Sequence, residues 1–529
     1  MDPDPASYDQ FLVEILALLI VYILFKYIRS SYGSKKGSSL QNKIPEPHGS
    51  LPFIGHLHLL NAQVPYFRTF SAMAQKYGPI FSLRLGCHNT IVVNTREIAK
   101  QFLTTNDKVF ASRPDTAAGR YMGYNNAVLG LAPYGNYWRE MRKIATLEVL
   151  SNHRLEKLKH VRDTEIYSLV KDLSSFSKNM NDSIQVPISE LFEHMTFNII
   201  VRMIAGKRFS GETISQEDSE SWRLRRAIRD ATYLSGVFVA ADAIPCLGWF
   251  DFGGYVGFMK RTAREIDIIL DKWMHEHLRK RAEIKNDGCE DDFMDVLIST
   301  FQEHDVIWSH KKETVIKATA LILILTGSGS TAITLTWALS LLLNHPRVLK
   351  AAQQELDTNI GKDKWVQESD IKDLKYLQAI VKETLRLYPP APLTGIREAT
   401  DDCQVAGYQV PKGTRLLINL WKLQRDPQIW SNPDEFQPER FLNAHEDISF
   451  QSQDFGFIPF SFGRRSCPGM NFGLQVLHLT LARLLQGFDI CTKAGVVDMI
   501  EGLGVALPKA NALEVVLEPR LPLKLYESL

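Results

Sequence analysis

The residue in the most distinctive chemical setting is Cys467, in the segment FSFGRRSCPG that runs from Phe460 to Gly469. Gly463 and Gly469 can take backbone conformations closed to other residues, so a tight loop can aim amide N–H groups at the sulfur. Arg464 and Arg465 add positive charge beside it. Together these features favour a thiolate, suited to pushing electron density onto a bound iron. The plainer reading of a single cysteine is a buried structural residue. The six cysteines are scattered, with no CxxC pair and no local histidine cluster, which excludes a disulfide framework and a zinc site and points to a reducing compartment.

Three further constellations have suggestive spacing. Glu383 and Arg386, in KETLRLYPP, are three apart and share a helix face, where they can form a charged hydrogen-bonded pair. Trp138 and Arg142 are four apart, so an indole N–H and a guanidinium can point to one side together. Either pair alone reads equally as surface charge and ordinary packing. The run Thr326-Gly327-Ser328-Gly329-Ser330-Thr331 interrupts a long apolar stretch with small and hydroxylated residues.

Taken together these residues resemble the cytochrome P-450 monooxygenases, whose haem loop reads Phe-x-x-Gly-x-Arg-x-Cys-x-Gly. Phe460, Gly463, Arg465, Cys467 and Gly469 fill every fixed position. The resemblance implies haem b as cofactor, Cys467 as its iron ligand, Phe460 shielding the sulfur and Arg465 pairing with a propionate. It implies the same haem-edge role for Trp138 and Arg142, which match the family's WxxxR, and for Arg397, although Ile396 replaces the proline usual before it. In PDEFQPERF, Pro433 to Phe441, Arg440 matches the arginine that joins Glu383 and Arg386 in a buried structural triad. Family members carry an acid and then a threonine in the central helix to deliver protons to bound O2; here Gly329 and Ser330 stand at those positions, followed by Thr331. A serine hydroxyl can hold a water, but glycine has no group for acid–base chemistry. Protons then come through water, Ser330 or a basic substrate nitrogen, or the reaction is an atypical one.

The resemblance extends from the Pro-rich arm (44–55) to the C-terminus and is strongest to plant microsomal P-450s, in the group containing nicotine demethylases, tropinone synthase, benzylisoquinoline-alkaloid hydroxylases and some terpenoid oxidases. It implies O2, a small lipophilic substrate, and NADPH acting through NADPH-cytochrome P-450 reductase, which would dock on a basic surface including Arg139, Lys143 and Arg464. An alkaloid is the leading expectation, with tropinone-forming chemistry as the specific candidate. Terpenoid or phenolic hydroxylation, a reductase-independent isomerase or dehydratase, and a non-catalytic haem carrier are the alternatives. By analogy, 121–129, 393–396 and 502–507 line the substrate pocket, mostly apolar apart from Thr394, Asn125 and Asn126.

The elements that must position these residues are mainly helical with small sheets: a helix-rich lobe and a smaller β-containing lobe around a buried haem. Apolar periodicity predicts helices over 97–105, 135–147, 161–176, 261–283, 313–344, 347–359, 374–387 and 472–488, and strands over 80–85 and 90–93. No charge occurs between Lys317 and Arg347. That length suits a membrane span, but its small polar centre suits a helix buried all round in a large core; the alternative is a membrane protein with two spans.

Residues 11–28 are nearly all apolar apart from Glu14 and Lys26; an acidic stretch precedes their apolar core, and Lys26, Arg29, Lys35, Lys36 and Lys43 follow it. Eighteen helical residues reach roughly 27 Å, enough to cross a bilayer, and the basic flank keeps the remainder cytosolic. A cleaved signal would need a basic front and a small-residue cleavage site. The expected organisation is a short lumenal N-terminus (1–10), an anchor in the endoplasmic reticulum membrane (11–28), a basic tether with a Pro-rich hinge (29–55) and one cytosolic catalytic domain (56–529). Lysines and arginines number 61 against 60 acids, with no basic block, so nucleic acid is not an expected partner.

Overall fold

The computed structural model describes residues 43–178, 185–209, 219–244, 249–283, 292–303, 305–451 and 453–528, together with positions 19, 22 and 26. Nearly all of the expected anchor and the first part of the tether lie outside the described residues.

The chain enters through α1 (Tyr66–Tyr77), then pairs β1 (Ile80–Leu85) with β2 (His88–Val93) as an antiparallel hairpin before α2 (Arg96–Leu103). α3 (Asn136–Ile144) carries the Trp138/Arg142 pair and runs into a wider turn over Ala145–Val149. α4 (Lys159–Lys178) and the short strand β3 (Val186–Pro187) lead to α5 (Ile188–Ala205), which ends where Gly206 turns left-handed at φ 63°. α6 (Glu220–Gly236), α7 (Tyr255–Glu283) and α8 (Phe293–Thr300) complete the outer helices.

The stretch expected as one helix over 313–344 forms two pieces, α9 (Lys312–Gly327) and α10 (Gly329–Asn344), broken at Ser328. Over Lys312–Asn344 the mean hydropathy reaches 1.6, yet 56% of that apolar window is buried against other helices. A helix enclosed this way needs no polar face, so the stretch reads as core, and the periodic signal of an amphipathic helix is absent. α11 (Pro346–Asn359) opens on proline, and α12 (Lys375–Leu387) stops at Tyr388, before Pro389 and Pro390.

β4 (Arg397–Glu398) and β5 (Arg415–Ile418) join the first hairpin in a four-stranded sheet of order β1-β2-β5-β4, with β2 and β5 parallel. α13 (Met470–Gly487) follows the cysteine loop and leads into β6 (Phe488–Cys491), which pairs with β7 (Glu514–Pro519); β7 in turn pairs with β3. The helical lobe and the smaller sheet lobe agree with expectation. Trp337 of α10 typifies the core between them: it is fully buried, donates to the Leu507 carbonyl at 2.8 Å and stacks on Tyr388 with ring centroids 4.0 Å apart. Truncating such a residue costs about 3–5 kcal/mol.

Candidate active site

The cysteine loop is tied to itself and to the end of α2. Within it, Cys467 N donates to Phe460 O at 2.9 Å and Ser466 N to Gly463 O at 3.0 Å. Gly463 sits at φ 75°, and a Cβ there would lie 2.3 Å from Asp107 Oδ1 and 2.9 Å from the Leu103 carbonyl. Only glycine fits, for backbone and for space. Gly469 does not need that freedom: at φ −90° it is open to any residue, and it contributes room, with no atom within 4 Å of a notional Cβ.

Protein surrounds Cys467, yet its side chain reaches open space, so the sulfur forms part of a cavity wall. Burial pushes the thiol up, while the Gly469 N–H and the Arg142 charge pull it back. The expected partners of the sulfur, Arg464 and Arg465, are engaged elsewhere. Arg464 pairs with Asp107 at 2.9 Å. Arg465 donates to the carbonyls of Ala111 (2.6 Å), Leu129 (3.1 Å) and Ala132, and lies over the Trp138 ring. Phe460 is half-buried edge-on to Phe450.

Arginines converge on this cavity. Arg142 donates to the Ser466 carbonyl at 2.7 Å, and buried Trp138 is wedged between Arg465 and Tyr134. Arg397, buried in β4, reaches Asp107 (3.3 Å), Ser461 Oγ (3.4 Å) and the Phe462 carbonyl (3.2 Å). A fourth, Arg113, was not expected; it donates to the carbonyls of Ile396 (2.6 Å), Gly130 (3.1 Å) and Gly395. Its only sequence signal is a lone cation before Pro114, after the uncharged run Val109 to Ser112.

Burial, and then Arg397, pushes Arg113 down to about 9; burial, then Arg113, Arg397 and Arg142, pushes Arg465 down to about 8. Such depression marks guanidiniums taken out of water and set beside like charges, with Asp107 the one carboxylate that offsets them among the described residues. A ligand carrying two carboxylates and an iron that accepts sulfur, as haem does, fits this donor set.

The broken helix forms another wall. Gly130, whose carbonyl holds Arg113, has Ile322 of α9 3.3 Å from its notional Cβ, and Gly327 faces Ile200 and, at 3.9 Å, Phe472 of α13. Gly329 opens onto space, with nothing within 4 Å of a Cβ, and Thr326 and Ser330 are both accessible. Ser330 Oγ donates to the Thr326 carbonyl (2.8 Å) and Thr326 Oγ1 to that of Ile322 (2.6 Å), so both hydroxyls present lone pairs outward. Thr331, grouped with them from sequence, is instead buried and bonded back to Gly327. Thr394 is likewise no free polar group for the pocket: it is buried and its hydroxyl accepts the Ile418 amide at 3.0 Å. Asn126 donates Nδ2 to Asp115 Oδ1 at 3.1 Å, while its buried Oδ1 has no hydrogen-bond partner among the described residues.

Away from the cavity, Glu383, Arg386 and Arg440 meet, the first two as their spacing suggested and the third as the resemblance implied. Glu383 takes both Nε (2.7 Å) and Nη2 (2.8 Å) of Arg386 and Nε of Arg440 (3.0 Å). The remaining Arg386 donors reach the carbonyls of Gln424, Pro433 and Glu435, so the buried charges are satisfied. On the outer side of the cysteine loop, a basin of roughly 650 Å³ is lined by Lys108, Tyr134, Arg139, Lys143 and Arg464 among others, with five bases and no acid.

The family model described as cytochrome P450 matches residues 45–513. The chain is 50% identical to dimethylnonatriene synthase of Arabidopsis thaliana, covering 98% of each chain. It is 47% identical to a xanthotoxin 5-hydroxylase of the same plant (97% of this chain, 99% of the relative) and 45% identical to strychnine-10-hydroxylase of Strychnos nux-vomica (97% and 98%). A zebrafish cytochrome P450 solved with progesterone superposes with a TM-score of 0.74 at 25% identity, over 86% of this chain and 100% of that one.

Proposed function

Because this chain belongs to the cytochrome P450 family, a haem monooxygenase family, we propose that it oxidises a small, uncharged plant specialised metabolite, with Cys467 as the iron ligand. The observation that carries the proposal is Cys467 on a cavity wall beside four guanidiniums of which, among the described residues, only Arg397 pairs with a carboxylate. The bound haem would supply O2 binding and reduction. Arg113, Arg397 and Arg465 would hold its propionates, Arg142 and the Gly469 N–H would keep negative charge on the sulfur, and Phe460 would keep water from it. The Glu383, Arg386 and Arg440 set fixes the core around the loop and touches no substrate.

An alkaloid was the leading expectation, and tropinone-forming chemistry its specific form. The relatives support a different emphasis: the 50% identical one is named for a hydrocarbon triene, and the other two for a hydroxylated xanthotoxin and a hydroxylated strychnine. Terpenoid or phenolic oxidation is therefore the better reading. Thr326 and Ser330 offer only acceptor oxygens to the cavity, and Gly329 offers no acid, so a substrate hydroxyl donating to them is oriented without any ionic contact.

We assign electron delivery to a reductase of the endoplasmic reticulum, docked on the basin around Lys143 and Arg464, with residues 11–28 as a single-pass anchor, 29–55 as tether and hinge, and 56–529 in the cytosol. Attraction of an acidic partner to five bases speeds encounter and weakens with salt. The test uses microsomes containing the full chain. Dithionite and CO should give the red-shifted Soret band of thiolate-ligated haem, absent in Cys467→Ser. Acyclic terpenoid alcohols, phenolics and alkaloids are then compared for binding-induced spectral shifts and for NADPH- and reductase-dependent products. A wild-type protein without the thiolate band, or turnover without reductase, would reject this function.

A further inference from the structure

We propose that Asp107 is a positioning residue for the cysteine loop: it clamps Gly463 and Arg464 from the α2 side and supplies the negative charge that balances the arginines around the sulfur. The inference rests on Cys467 being the iron ligand. Asp107 lies between α2 and the turn Val109–Ala111, and its side chain is only 5% exposed. Oδ2 accepts the Arg464 amide at 3.0 Å and Arg464 Nη1 at 2.9 Å, while Oδ1 accepts Arg397 Nη1 at 3.3 Å. One carboxylate therefore holds a loop amide, a guanidinium facing the docking basin and a guanidinium buried behind the loop.

The contact is built into the loop's sequence. Gly463 must lack a side chain because its notional Cβ falls 2.3 Å from Asp107 Oδ1. Arg397 extends the clamp, reaching Ser461 Oγ and the Phe462 carbonyl with its other nitrogen. Residues 461–464 are thus fixed from outside, while the hydrogen bonds of the Asp107 side chain to described residues go to Arg397 and Arg464 and not to Arg142 or Gly469. A buried carboxylate beside guanidiniums forms strong charge-assisted bonds, and removing it leaves uncompensated positive charge.

The asparagine variant separates geometry from charge, since its carbonyl oxygen can still accept the Arg464 amide. In the haem-loaded full chain, D107N should keep the thiolate-type ferrous–CO spectrum but shift the haem reduction potential upward, because excess positive charge favours the reduced form. D107A should lose the clamp as well, giving several-fold faster haem transfer to an acceptor such as apomyoglobin and a marked fraction of non-thiolate CO complex. A merely structural role would lower thermal stability without moving the potential of D107N. An unchanged D107N potential would overturn the proposal even if D107A fails to fold, as would a folded D107A with wild-type spectrum and haem retention. A wild-type chain without the thiolate spectrum would instead overturn the ligand assignment on which the proposal stands.

Discussion

Ser330 and Gly329 illustrate how far a single side chain carries chemistry. The space above Gly329 is large enough that no atom approaches a Cβ within 4 Å, so an acid is absent by sequence and not by crowding. Gly329→Asp is expected to be accommodated and to raise product formed per NADPH while lowering peroxide release; an unchanged ratio would count against a proton-delivery deficit. Glu383 lies at the other extreme, at 0% exposure with two arginines upon it. Glu383→Gln should cost about 3–5 kcal/mol, because two buried guanidiniums lose their counter-charge, and urea unfolding would measure it. Cys467, Gly463 and the Glu383 pair were legible because their signal is local. Arg113 and Asp107 were not: each acts through partners close to three hundred or more positions away along the chain, such as Arg113 with Ile396 and Asp107 with Arg464, and nothing near either residue announces the meeting.

At the scale of elements, legibility followed amphipathicity. α7, α11, α12 and α13 were anticipated with ends shifted by a few residues, since apolar stripes and proline boundaries mark them, and α4 was anticipated despite a weak stripe. α5 was missed because its residues are buried almost all round and show little 3.6-residue period. One tie between elements depends on protonation. His277 in α7 lies 2.7 Å from the Trp273 carbonyl through Nδ1 and 2.8 Å from Asp292 Oδ2 through Nε2, and Asp292 caps α8. Although burial opposes the charge, the hydrogen bond and attraction from Asp292 raise the imidazole above its ordinary value. A raised folded value means that the stabilisation is complete below the unfolded value, about 6.5, and fades as pH rises through the folded one. His277→Gln should therefore lower the denaturation midpoint most at about pH 6, with the gap to wild type narrowing as pH rises. A gap independent of pH would show that the imidazole charge contributes nothing.

Across the whole molecule, charge is nearly balanced but unevenly placed, with the basin at Lys108, Arg139, Lys143 and Arg464 on the outer face of the cysteine loop. Lys143→Glu should slow reduction by the reductase several-fold at low salt, with the difference vanishing as ionic strength rises above the range where such fields reach a partner. Stopped-flow reduction of the CO complex is the measurement, and salt-independent rates would exclude this face. The four guanidiniums gathered near Cys467 have a consequence beyond ligand contact. A chain that must bring Arg113, Arg142, Arg397 and Arg465 together gains from a dianion only once folded, so cofactor and native state are linked by mass action. The abundance of this protein in a cell should then follow haem supply, with newly made chains surviving proteolysis in proportion to how quickly they capture it.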